Sequence, residues 1–126
     1  LALKDRGAIG MVGKKIGREE AAKILSDVKP ENAFIFSIGE GAFTGKTAQN
    51  LGQLFEALKA IDLKSVEFHL YRRDFENWVK YLGDNILALQ IARIRSMPFN
   101  GEGTRAKITV AIGNRIDKLK TLESSP

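Results

Sequence analysis

The stretch Lys64-Ser65-Val66-Glu67-Phe68-His69-Leu70-Tyr71 decides how the rest of the chain is read. Polar and apolar residues alternate through it without a break, and a period of two is the pattern of a half-buried β-strand. Val66, Phe68 and Leu70 then face a core, while Ser65, Glu67, His69 and Tyr71 face the other way. On such a strand Glu67 and His69 are neighbours on one face. A carboxylate there can orient and charge an imidazole.

Upstream, Ala33 to Ile38 is a short aromatic-rich apolar run that reads as another strand. Gly39-Glu40-Gly41 supplies a turn, and Ala42 to Ala48 returns as the second arm of a hairpin, with Gly45 marking a bulge. The remaining segments read as helices. Gly17 to Val28 carries Ala21, Ile24, Leu25 and Val28 on one stripe, with Pro30 just beyond its end. Asn50 caps a helix running to Ile61. Asp74 caps a third helix with Phe75, Trp78, Val79 and Leu82 inward, closed by Gly83. Asp84 caps the next, with Leu87, Ile91 and Ile94 along one face. After a loop from Pro98 to Gly103, Thr104 to Leu122 is the longest helix, interrupted by Gly113. The expected architecture is α+β: a small three-stranded sheet, made of the hairpin plus one strand after a helix, packed against a helical C-terminal half.

Composition narrows the chemistry. The 126 residues fit one domain. That domain is expected over residues 18–122, with residues 1–17 as an N-terminal extension, flexible or partly vector-derived, and 123–126 as a frayed tail. The absence of cysteine excludes disulfides, Cys-ligated zinc, iron–sulfur clusters and thiol nucleophiles. A single histidine, His69, excludes any mechanism that needs two. No apolar run approaches the roughly 20 residues of a membrane span, and no signal-like segment opens the chain. A cytoplasmic protein without membrane contact, cofactor or metal is expected. The formal charge of +5 is uneven: seven of the basic groups and three acidic ones fall in residues 91–126.

Three features carry candidate chemistry. Gly41-Ala42-Phe43-Thr44-Gly45-Lys46-Thr47 resembles a phosphate-binding loop, but the spacing to Gly45-Lys46-Thr47 is one residue short from Gly41 and one too long from Gly39. The position where the first glycine belongs is Glu40, whose carboxylate repels phosphate, so a bulged hairpin is the better reading. The densest polar cluster is Glu67, His69, Tyr71, Arg72 and Arg73, a candidate ligand or acid–base site. Basic residues on the last two helices include Arg93, Arg95 and Lys120. Among them Arg105, Lys107, Arg115 and Lys118 are candidate nucleic-acid contacts, although aromatic interleaving is missing.

The string from Ser65 through Glu67-Phe68-His69, Arg72-Arg73-Asp74-Phe75 and Trp78, followed by Leu82-Gly83-Asp84, Leu87-Ala88 and Ile91, resembles a family of small archaeal proteins of unknown function. Ala33-Phe34-Ile35-Phe36, Thr44-Gly45 and the helix with Leu54, Phe55 and Leu58 extend the likeness to roughly Glu31–Leu122. The family pattern has glycine where Arg73 stands, which bears on the turn there. The resemblance implies an archaeal, cytoplasmic protein, sometimes a domain beside carbohydrate-metabolism enzymes. It implies Glu67 and His69 as hallmark positions and brings no activity, cofactor or catalytic residue. The expected function is a non-enzymatic interaction or regulatory module working through a protein partner or as a homodimer. The alternatives are nucleic-acid binding by the basic C-terminal helices and a site at Glu67 and His69.

Overall fold

The computed structural model describes residues 16–125. The expected N-terminal extension, apart from residues 16 and 17, lies outside the described residues. In chain order the elements are helix α1 (Arg18–Leu25), a 3-10 turn (Pro30–Asn32), strands β1 (Phe34–Ser37) and β2 (Phe43–Ala48), and helices α2 (Leu51–Leu58), α3 (Leu63–Tyr71), α4 (Asp74–Leu82), α5 (Asn85–Arg95) and α6 (Glu102–Glu123).

The expected third strand is a helix. Lys64 to Tyr71 lies within α3, so the sheet has two strands and not three. The reason is local. Asp62 caps the segment, its Oδ1 accepting from the Lys64 N–H at 2.8 Å, and the Asp62 carbonyl accepts from Ser65 and Val66. The buried residues are Ser65, Val66, His69 and Leu70, a stripe spaced by a helical turn. Two of those four are polar, which hides the helical period. Phe68 is only half-buried and Glu67 is exposed.

The hairpin forms as expected. β1 and β2 are antiparallel, pairing Phe34 with Ala48, Ile35 with Thr47 and Ser37 with Phe43. Opposite Phe36, β2 bulges through Thr44, Gly45 and Lys46, with Gly45 at φ 86°. The would-be phosphate loop is therefore an exposed bulged strand rather than a turn into a helix. A bulge of this kind also spoils an edge for further pairing. A lone hairpin is marginal in water, so this one depends on the helices beneath it. Phe34 and Phe36 are buried, and Phe34 stacks on Phe75 of α4 at 5.2 Å between ring centroids. The Trp78 indole N–H donates to the Asn32 carbonyl at 3.0 Å.

The caps at Asn50 and Asp84 hold, accepting from the Gln53 and Leu87 N–H groups, and Gly83 closes α4 at φ 108°. α1 ends at Leu25, earlier than Val28. Gly113 does not interrupt α6; the Phe55 ring of α2 packs over it so closely that an added Cβ would stand 2.9 Å from Cε1. α6 is the central element. It packs on α1, α2 and α5, and its buried Ile108, Ile112 and Leu119 join the core. Among the described residues, no helix is long and apolar enough to cross a membrane.

Candidate functional site

The expected polar cluster does not converge. Residues two apart on a helix point to different sides, so Glu67 faces solvent while His69 is only 4% exposed. The expected Glu67–His69 pair is absent because the strand that would have aligned it is α3. His69 instead reaches β1 and the start of α4. Its Nε2 accepts from the Ser37 backbone N–H at 2.8 Å, and its Nδ1 lies 2.8 Å from Asp74 Oδ2. The Ser37 bond leaves Nε2 unprotonated, so the proton sits on Nδ1 and is donated to Asp74. Asp74 thus serves His69 rather than capping α4 through its side chain. Burial pushes the His69 pKa below its ordinary value, against the opposing pull of the Asp74 carboxylate and with a smaller push from the Arg72 charge.

The other members of the cluster disperse. Arg72 lies over the Phe68 ring at 4.8 Å and brings Nε to 3.4 Å from Asp74 Oδ2. Tyr71 turns toward the loop before α6, its hydroxyl donating to the Met97 carbonyl at 3.4 Å. Arg73 is exposed and holds the left-handed conformation, φ 68°, between α3 and α4. That conformation suits glycine. A histidine–aspartate pair is present, but the imidazole nitrogen that a general base would use is already bonded to the main chain.

Other buried ionisable groups are paired in the same inward way. Glu76 of α4 binds Arg95 of α5 through two hydrogen bonds. Asp84, fully buried, accepts from the Leu87 N–H with one oxygen and from Arg115 Nε, at 2.6 Å, with the other. Among the described residues, no group of three or more His, Asp or Glu gathers to hold a metal.

The basic candidates divide. Arg105 leaves the set: it donates to the Leu58 carbonyl at the end of α2 (2.7 Å) and pairs with Glu102. Lys107, Arg115 and Lys118 line one groove between α5 and α6, joined by Arg93 across it. The groove has a volume of about 710 Å³. Its apolar lining is Ile94, Ala106, Ala111 and Val110, the last shared with the groove between α2 and α6; Gln90 and Asn114 are its neutral polar lining, and no acidic residue lines it. Arg115 is 9% exposed and neutralised by Asp84 beneath. Arg93, Lys107 and Lys118 are exposed, and among the described residues none of the three has an acidic partner. In the sequence Arg93 belongs to the wider basic set and not to the four candidate contacts. Its position on α5 was legible; that α5 forms the opposite wall was not.

A larger groove, about 1070 Å³, runs between α2 and α6. Its lysines, Lys46, Lys59 and Lys120, are offset by Glu56 and Asp117, so it lacks the one-sided charge of the first. The chain matches no protein-family model, no curated protein and no solved structure.

Proposed function

We propose that the protein is a non-enzymatic binding module whose working face is the groove between α5 and α6, and that its partner is anionic. The observation that carries this reading is the asymmetry of that groove. Three exposed cations, Arg93, Lys107 and Lys118, ring an apolar floor with no carboxylate among the lining residues. Uncompensated charge over a low-dielectric surface focuses potential toward a ligand of opposite sign. The consumption of both His69 nitrogens by the fold supports a binding role over acid–base chemistry. Kinship with the archaeal family belongs to the same proposal, and so does a cytoplasmic setting.

The test uses sodium polyphosphate as a probe. Wild type should bind it saturably, and Lys107→Glu with Lys118→Glu should weaken binding at least tenfold at 0.1 M salt, where screening acts over about 10 Å. The control pair Lys64→Glu with Lys80→Glu changes net charge equally on exposed positions of α3 and α4. If both pairs weaken binding alike, the protein responds to net charge alone and the groove is not the working face.

A further inference from the structure

The floor of the α5–α6 groove says more about the partner than its rim does. Val110 stands 58% exposed in the middle of α6. Ala106 and Ala111 flank it, and Ile94 closes the wall from α5. The cations stand on both walls. Along α6, Lys107 and Lys118 are separated by about 16 Å at a rise of ~1.5 Å per residue, three helical turns. The apolar lining of α6 thus covers residues 106–111, the polar Asn114 and Arg115 lead on to Lys118 three turns beyond Lys107, and Arg93 stands on the facing wall.

We propose that this groove docks an acidic amphipathic helix of a protein partner. This rests on the binding-face reading above and names the occupant. A helix laid in a groove presents apolar residues at i, i+3 or i+4, and i+7 to the floor. Its flanking carboxylates then meet Arg93, Lys107 and Lys118. Charge complementarity selects an acidic helix over a basic or neutral one, and it sets orientation and encounter rate. The floor argues against nucleic acid. Phosphate contacts need cations but no apolar trough, and unpaired bases stack on aromatic rings, of which the lining has none.

The test titrates the isotopically labelled full chain, followed by NMR. The probes are three 14-residue helical peptides with Leu, Met or Phe on one face and Glu on the flanks, their scrambled counterparts, sodium polyphosphate and a 20-base-pair DNA duplex. At least one amphipathic peptide should bind saturably, shifting the amide signals of Ile94, Val110 and Ala111, and its scramble should bind at least tenfold more weakly. Val110→Ser removes floor area at an exposed position. It should weaken the peptide about fivefold and leave polyphosphate affinity unchanged. Equal binding of scrambles, or binding of polyphosphate or duplex with all three amphipathic peptides inert, overturns the helix proposal while the anionic binding face stands. Failure of every anionic probe overturns both.

Discussion

Protonating His69 at Nε2 would set a second donor against the Ser37 N–H, 2.8 Å away, and would cost the bond that ties β1 to α3. The folded state therefore favours the neutral ring, as the lowered pKa requires. The charged groups that face His69 are Asp74 and Arg72. Between the folded pKa and the ordinary 6.5, the unfolded chain binds a proton that the folded chain refuses. His69 thus contributes stability that is fully present above pH 6.5 and is lost as pH falls through the folded value. Denaturant midpoints across pH 4.5 to 7.5 should show this decline. His69→Gln, which keeps an acceptor near Nε2, should flatten it in that window. Arg73 is the other telling residue. A left-handed conformation costs a non-glycine residue about 1–2 kcal/mol, and glycine's greater freedom when unfolded takes back about 0.5–1 kcal/mol. Arg73→Gly should raise stability by up to about 1 kcal/mol, read as a higher midpoint with unchanged slope.

At the scale of elements, α3 shows what the sequence displays and what it hides. The alternation of Val66, Phe68 and Leu70 is real, but only Val66 and Leu70 are fully buried. Leu63, Val66 and Leu70 stand at i, i+3 and i+7, and Asp62 precedes them as a cap. Those two signals identify the helix. They are masked because Ser65 and His69 are polar residues on the buried face, and periodicity counts polar residues as outward. In the hairpin and the helices after Asn50, Asp74 and Asp84 the apolar residues that carry the period, such as Phe34, Phe36, Leu54, Phe75, Val79 and Ile91, are the buried ones, so those elements and the Gly45 bulge are legible. The candidate site failed with the strand, since a pair two residues apart is a pair only in extended backbone. Ser65 also distinguishes the alternatives by experiment. Its hydroxyl is buried and finds no partner among the described residues. Relief of that unsatisfied group, with the gain in helix propensity, should make Ser65→Ala more stable by about 1 kcal/mol. An outward strand position would leave stability unchanged or lower.

For the molecule as a whole, inward-facing polar pairs do the work that a larger sheet would have done, two of them ionic and one, His69–Asp74, between a neutral ring and a carboxylate. His69–Asp74 joins α3 to α4 and, through Ser37, to β1. Glu76–Arg95 joins α4 to α5. Asp84–Arg115 joins the α4–α5 turn to α6. Neither of the two long-range pairings, Glu76–Arg95 and Asp84–Arg115, is written in local sequence, so Arg115 reads there as a surface cation. Truncating it to Met strands the buried Asp84 carboxylate and should cost about 3–5 kcal/mol, the usual result of breaking one side of a buried pair. Arg115 is for that reason unsuited to probing the groove it lines, whereas the exposed Lys107 and Lys118 can be reversed without touching the core.

On the function proposed above, the His69 cluster holds the fold and the α5–α6 groove binds the partner. Polyphosphate affinity, measured side by side in His69→Gln and in Lys107→Glu/Lys118→Glu at pH 7.5, tests it most directly. His69→Gln should melt earlier yet bind as wild type does, and the lysine pair should melt normally yet lose at least tenfold in affinity. A folded His69→Gln protein that has lost binding, beside a lysine pair that has kept it, would place the working face at His69 and not in the groove.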